Sequence, residues 1–162
     1  MKKLILIRHA KSSWKFDVID HERPLNDKGL SDSGLVSDFL RNKEIEVDCV
    51  MISDALRTKL TSEIILPKLN ISENKIVYSH DLYDFSGGNL IQTIKNCDNS
   101  VKTLMVFGHN HAITSFVNTY GSLHIDNVPT CGVVIIEFNI DKWNELNQGE
   151  TLETIFPKDL RG

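Results

Sequence analysis

Short apolar runs alternate with segments of helical periodicity along this chain of 162 residues, and few architectures accommodate that alternation. The apolar runs predict six strands, over 3–7, 47–52, 75–78, 103–107, 132–138 and 153–156. The segments between them predict helices over 27–43, 54–66, 89–96 and 111–120. The predicted buried stripe of the first helix consists of Leu35, Val36, Phe39 and Leu40, and that of the second of Leu56, Leu60, Ile64 and Ile65. We therefore expect one three-layer α/β/α domain spanning 1–162, with a mostly parallel central sheet. A polar turn joins the last two strands, and we expect these two to pair as an antiparallel hairpin.

Composition and charge exclude several functional classes. The formal net charge of −4, without a basic stripe, argues against a nucleic-acid partner. The apolar run Leu4–Ile7 is too short for a secretory signal or a membrane span, so we expect no membrane partner. The three cysteines are odd in number and far apart, which is typical of reduced thiols in the cytoplasm. We expect a cytoplasmic monomer or weak oligomer.

Two residues suited to anion chemistry stand where the first strand is predicted to end. Arg8 and His9 follow the apolar run directly. Ligands of open α/β sheets bind at the carboxyl ends of the strands. An imidazole beside a permanently charged guanidinium suits nucleophilic attack on an anion.

Two later segments repeat this arrangement. Arg57 follows the second strand and falls in the first turn of the next predicted helix, with Ser53 or Asp54 as a candidate N-cap. A cation is unfavourable at a helix N-terminus, so Arg57 either pairs with Asp54 or helps bind a phosphate there. His109 follows the fourth strand. His109 and His111 also form the spacing of a metal-ligand pair, but no third ligand lies nearby in the sequence, so we expect no metal.

Three motifs in this order resemble the histidine phosphatase superfamily, namely Arg8-His9-Ala10, Ser53-x-x-x-Arg57-Thr58 and Gly108-His109-Asn110. The segments Glu22-Arg23-Pro24-Leu25-Asn26 and Val128-Pro129-Thr130 resemble its SixA branch of phosphohistidine phosphatases. The resemblance covers nearly the whole chain and implies a phosphoglycerate mutase-like fold. The chain departs from the family pattern at Ala10, where glycine is common.

The resemblance also implies roles for individual residues. His9 would attack phosphorus and become phosphorylated for a short time, while Arg8, Arg57 and His109, as three cations, would stabilise the phosphoryl oxygens. Water would then release inorganic phosphate, without a metal or another cofactor.

Other residues next to these motifs are candidates for substrate binding. We expect Lys11 and Ser12, which follow the nucleophile, and Asn110, which follows His109, to contact the substrate. The segment after His9 is equally compatible with a solvated loop that folds Trp14 onto the core.

Many members of the family carry a carboxylic acid that protonates the leaving group. Here the candidates are Asp81 and Asp84, and both are also compatible with ordinary turn residues. An imidazole leaves as a stable neutral molecule and needs less proton donation than an alkoxide. We therefore expect the substrate to be phosphohistidine, carried by a partner protein that reaches an open pocket.

Three alternatives remain at the level of the sequence. The chain could be a small-molecule phosphate ester phosphatase of the same superfamily, or a mutase, although a mutase needs a more enclosed site. It could also be a non-catalytic phosphate-binding or scaffold protein. That last class would have lost one of the motif residues His9, Arg57 or His109, and all three are present.

Overall fold

The computed structural model describes residues 1–161, which form a six-stranded sheet between two layers of helices. The strands are β1 Lys2–Arg8, β2 Cys49–Ser53, β3 Ile76–Ser79, β4 Thr103–Gly108, β5 Val133–Phe138 and β6 Glu150–Ile155. The helices are α1 Asp27–Asn42, α2 Leu56–Ile65, α3 Gly88–Lys95, α4 Ala112–Tyr120 and α5 Pro157–Leu160. In the described part of the chain, no helix combines the length and the apolar character needed to cross a membrane.

The sheet has the strand order β3-β2-β4-β1-β5-β6. Strands β3, β2, β4 and β1 are parallel, whereas β5 is antiparallel to β1 and β6 is antiparallel to β5. The predictions of a mostly parallel sheet and of an antiparallel hairpin at its end are confirmed. Strand β6 begins three residues earlier than predicted.

Strand β1 lies inside the sheet and is buried on both faces, which explains its continuous apolar sequence. Leu4 and Leu6 point toward the core that contains α3 and α4. Ile5 and Ile7 point toward the core on the side of α1 and α2. The alternation of side chains along this strand therefore separates the two halves of the core.

Helix α2 differs from its prediction in its start and in its buried face. It begins at Leu56 with Ala55 as the N-cap, so the prediction that Ser53 or Asp54 caps it is wrong. The side chains of Ser53 and Asp54 bind histidines instead. The helix buries a mostly polar face, consisting of Arg57, Thr58, Thr61, Ser62 and Ile65. Its Thr and Ser hydroxyls donate to backbone carbonyls at or near the helix, so they are satisfied although buried.

The apolar stripe predicted on α1 is only partly correct. Val36 and Leu40 are fully buried, whereas Phe39 is 36% exposed. Two small serines, Ser33 and Ser37, occupy the buried face beside them. Their hydroxyls donate to the carbonyls of Gly29 and Gly34 in the same helix, so these polar side chains are satisfied although buried.

Candidate active site

The carboxyl ends of three neighbouring strands bring the three sequence motifs together. Arg8 at the end of β1 pairs with Gly108 at the end of β4, so His9 and His109 follow adjacent strand ends. Strand β2 lies on the other side of β4 and ends at Ser53. The site therefore lies where the general rule for parallel strands places it.

His9 is buried, and backbone hydrogen bonds fix its position. Its amide donates to the carbonyl of Gly108, at 3.1 Å, and its carbonyl accepts from the amide of Cys131, at 2.9 Å. Its Nδ1 lies 2.7 Å from the carbonyl oxygen of Ala10. A carbonyl oxygen can only accept, so Nδ1 carries the proton and Nε2 of the neutral ring keeps its lone pair.

The environment of His9 favours the neutral ring. Burial lowers its pKa to about 3, the hydrogen bond to Ala10 opposes that shift, and the positive charges of Arg57, Arg8 and Arg23 add to it. At neutral pH the imidazole is therefore unprotonated on one nitrogen and able to act as a nucleophile.

His109 faces His9 across the pocket, with 5.2 Å between the ring centroids. Its Nε2 lies 2.7 Å from Ser53 Oγ. Burial lowers the pKa of His109 to about 2, and the positive charges of Arg57 and Arg8 act in the same direction. Burial next to Arg57 and Arg8 therefore disfavours the protonated, cationic form of His109 that the resemblance implies.

The two arginines of the motifs are held by backbone and side-chain oxygens. Arg57 is 2% exposed and donates to the backbone carbonyl of Asp20, at 2.8 Å, and to its carboxylate, at 3.0 Å. Its partner is thus Asp20, not Asp54. Arg8 donates to the carbonyl of Val128, at 2.8 Å.

Three buried side-chain nitrogens at this site have no hydrogen-bond partner within residues 1–161. They are Arg8 Nε, Arg57 Nε and His109 Nδ1. Buried nitrogens of this kind are nearly always paired in folded proteins. Their clustering around His9 matches the needs of a ligand with several anionic oxygens.

Asp20 is a central residue of the site that the sequence reasoning missed. Its carboxylate accepts hydrogen bonds from Arg57, from Arg23 Nε at 3.1 Å and from the Tyr83 hydroxyl. Partial burial raises its pKa, but the hydrogen bonds from Tyr83 and Arg57 outweigh this and hold the pKa well below its usual range. No motif marks Asp20; the only nearby signal is the family-like segment that begins at Glu22.

Besides the arginines and His109, three residues are candidates for substrate binding. The side chains of two of them form hydrogen bonds within the protein. Ser12 is buried, with its Oγ 2.6 Å from an Arg23 nitrogen. The amide of Asn110 donates to Asn127, at 2.8 Å, while its oxygen accepts from Thr114 in α4. Lys11 has an exposed side chain at the edge of the same loop.

The two candidate acids occupy different environments. Asp84 is buried, and its carboxylate accepts from the amides of Ser86, Gly87 and Leu90 at the start of α3. Burial raises its pKa, but these amide hydrogen bonds lower it below the ordinary value, which disfavours the protonated form that an acid requires. Asp81 lies exposed in the turn after β3.

Aromatic side chains border the pocket beside His109. The ring centroids of Tyr83 and Phe85 lie 5.4 Å and 5.2 Å from that of His109. Trp14 stacks on the guanidinium of Arg23, 3.5 Å from its ring centroid, and is 77% exposed. The structure therefore places Trp14 outside the core, as part of an exposed rim.

Comparison with protein families identifies relatives of the whole arrangement. A family model described as the histidine phosphatase superfamily (branch 1) matches residues 4–95, more than half of the chain. An uncharacterized protein of Mycobacterium tuberculosis is 28% identical, over 88% of this chain and 93% of that protein. An uncharacterized chloroplastic protein of Arabidopsis thaliana is 27% identical, over 89% of this chain and 70% of that protein.

Solved structures share the fold at low sequence identity. The protein histidine phosphatase SixA, complexed with tungstate, has a TM-score of 0.83 and 20% identity, over 98% of this chain and 99% of that one. A phosphoserine phosphatase from Entamoeba histolytica has a TM-score of 0.59 and 14% identity, over 95% of this chain and 96% of that one. The same fold thus occurs in proteins described by different substrates.

Proposed function

This chain belongs to the histidine phosphatase superfamily, and on that premise we propose that it is a metal-independent phosphatase that hydrolyses phosphohistidine on a partner protein, with His9 as the nucleophile. The observation that carries the proposal is the set of three unpaired buried nitrogens, of Arg8, Arg57 and His109, next to the free lone pair of His9. A phosphoryl group offers three oxygens to these donors and a phosphorus atom to that lone pair.

The first chemical step transfers the phosphoryl group to His9. The Nε2 lone pair attacks phosphorus, the bond from phosphorus to the leaving nitrogen breaks, and the leaving imidazole takes the electron pair and a proton from solvent. Arg8 and Arg57 stabilise the charge on the phosphoryl oxygens. The tautomer of His109 whose Nε2 accepts from the Ser53 hydroxyl carries its proton on Nδ1 and donates it toward a phosphoryl oxygen.

The second step regenerates the protein. Water attacks the phosphorus of phosphorylated His9, the bond from Nε2 to phosphorus breaks, and inorganic phosphate leaves. The hydrogen bond from Nδ1 to the Ala10 carbonyl keeps the imidazole in one orientation through both steps.

The surroundings of the pocket favour an imidazole as the leaving group. The carboxylate of Asp84 accepts hydrogen bonds from backbone amides at the start of α3, so it is poorly suited to donate a proton to a leaving group. Tyr83 and Phe85 present aromatic surfaces on which an imidazole ring can stack. A leaving group that is stable when neutral does not depend on a protein acid.

The exposed rim favours a protein as the carrier of the phosphoryl group. The segment that leads from Trp14 to Asp20 exposes several large apolar side chains, namely Trp14, Phe16, Val18 and Ile19. Exposed apolar side chains grouped beside a site are typical of contacts with macromolecules. The three free cysteines suit a reducing compartment such as the cytoplasm.

The test compares phosphate release from a peptide carrying phosphohistidine with release from the same peptide carrying phosphoserine. We expect release from phosphohistidine by the wild type and by His124→Ala, an exposed surface control, and none by His9→Ala. Acid-labile phosphate should also be trapped on His9. Equal release from both peptides would instead indicate an ester phosphatase. Phosphate binding without any release would indicate a non-catalytic protein.

A further inference from the structure

Three side chains from separate segments meet next to the active site. His21 lies in the short turn Asp20–Glu22, Asp54 follows β2 directly, and His80 follows β3 directly. Strands β2 and β3 pair in parallel, with Ser53 opposite Ser79, so Asp54 and His80 leave the sheet side by side. One nitrogen of each histidine and one carboxylate oxygen lie within 4.8 Å of one another.

The distances between these atoms are close to those in a metal site. Asp54 Oδ1 lies 2.8 Å from His21 Nε2, and Asp54 Oδ2 lies 3.0 Å from His80 Nδ1. A tetrahedral zinc ion with bonds of about 2.0–2.2 Å holds its ligand atoms roughly 3.3 Å apart. Small side-chain rotations therefore suffice to admit an ion among the three groups.

We propose that His21, Asp54 and His80 form a binding site for a divalent transition metal of the zinc class. Two imidazole nitrogens and one carboxylate oxygen suit a borderline metal, whereas magnesium and calcium require mainly oxygen ligands. Binding replaces the protons through which both imidazoles bond to Asp54. The side chain of His80 is 74% exposed, which gives an ion access and leaves room for water at the remaining positions.

The site lies at the border of the phosphate pocket but is separate from the proposed chemistry. The ring of Tyr83 packs on His21, at 4.9 Å between centroids, and on His109, at 5.4 Å. None of the three ligands is needed for the attack by His9. The metal site is thus an additional property of this chain, and the outcome of its test does not depend on the proposed function.

The experiment titrates the full, tag-free chain with Zn²⁺ and, separately, with Co²⁺. We expect one ion per chain by calorimetry and a visible Co²⁺ spectrum without the intense charge-transfer bands that thiolate ligands produce. His21→Ala and His80→Ala should each weaken binding by at least about tenfold. The matched control is His124→Ala, because His124 and Asp126 form a pair of similar distance, 2.9 Å, with no third ligand among residues 1–161.

A stability measurement and a third variant complete the test of the metal site. Zn²⁺ should raise the Tm of the wild type, because a ligand that binds only the folded chain stabilises it. Asp54→Asn removes the carboxylate at nearly constant size, and it serves as the test variant if a histidine variant fails to fold. Absence of one-to-one binding would overturn the proposal. So would binding that the three substitutions leave unchanged, or a thiolate spectrum arising from Cys49 and Cys97.

Discussion

At the scale of single residues, the pocket combines a neutral nucleophile with donors that the protein itself does not use. Leaving a buried donor unpaired costs about 1–3 kcal/mol. Within its described residues the chain carries two such donors, Arg8 Nε and Arg57 Nε, and a third unpaired nitrogen, His109 Nδ1, which donates in one tautomer. Because their partners Val128, Asp20 and Ser53 hold the other ends of these side chains, the donors are oriented before any ligand arrives.

The first prediction concerns the protonation of His9. Since burial and nearby arginines lower its pKa to about 3, we expect the ring to stay neutral, with the proton on Nδ1, from about pH 7 to about pH 5. A lowered pKa keeps the neutral form of the ring dominant until the pH falls below that pKa. The measurement is the ¹⁵N shift of both ring nitrogens, assigned with His9→Ala. A midpoint near 6.5, the ordinary histidine value, would contradict the prediction.

The second prediction concerns Ser53, which acts as a positioning residue through His109. In Ser53→Ala the buried Nε2 loses its hydrogen-bond partner, so the ring of His109 is no longer held in place by that contact. We expect kcat to fall by about tenfold to a hundredfold with little change in KM, in line with the loss of about 1–3 kcal/mol.

Two further variants make the Ser53 result specific. Ser62→Ala removes another buried hydroxyl, one that donates to the Lys59 carbonyl, and should leave kcat unchanged. Ser53→Thr keeps the hydroxyl and should restore most of the rate. Unchanged kcat in Ser53→Ala would show that the contact with His109 does not contribute.

At the scale of elements, the start of α1 holds the loop that follows the nucleophile. The amide of Asn26, the N-cap of α1, donates to the carbonyl of Lys11, and Ser12 forms a β-bridge with Leu25. The first turn of α1 approaches this loop so closely that a Cβ on Gly29 would lie 2.2 Å from the Lys11 carbonyl oxygen. The packing of α1 thus decides the path of the chain beyond His9.

This close approach predicts opposite effects for two glycines of the same helix. Gly29→Ala forces the Lys11 backbone to move, and we expect a loss of about 1–3 kcal/mol in the free energy of unfolding, together with reduced activity. Gly34→Ala meets no atom within 4 Å and should increase stability by about 0.5–1 kcal/mol. Urea denaturation of both variants measures the difference. Equal stabilities would contradict the role assigned to Gly29.

At the scale of the whole molecule, both halves of the core share one sheet. The same strand β1 contributes Leu6 to one core and Ile7 to the other, and both side chains are fully buried. If one half of the core loses its packing, the strands that also carry the other half lose their support on one face. We therefore expect the chain to unfold as one cooperative unit, as predicted for a single domain.

Two tryptophans allow a test of this cooperativity. Trp143 is fully buried and donates to the carbonyl of Val101, whereas Trp14 is largely exposed. In Trp14→Phe, the fluorescence of Trp143 should change at the same urea concentration as the far-ultraviolet circular dichroism. Two separate transitions would show that the halves of the core unfold independently.

The sequence alone determined the elements and the motif residues, because both leave local signals. Periodicity placed the six strands and the four longer helices, whereas it missed the short helix α5 and misjudged some element ends and the buried faces of α1 and α2. Residues at the ends of apolar runs, such as His9 and His109, lie close together because the carboxyl ends of parallel strands meet at one edge of the sheet. Those predictions needed only neighbours in the sequence.

Only the tertiary structure decided which distant groups surround these residues. Asp20 binds Arg57 across 37 positions, Tyr83 reaches Asp20 across 63, and His109 finds Ser53 across 56. These contacts hold the ring of His109 and the side chains of the arginines in place, and the same packing joins His21, Asp54 and His80. Such contacts depend on the paths of loops and on how helices pack against the sheet. Those paths result from non-local packing, which local periodicity does not encode.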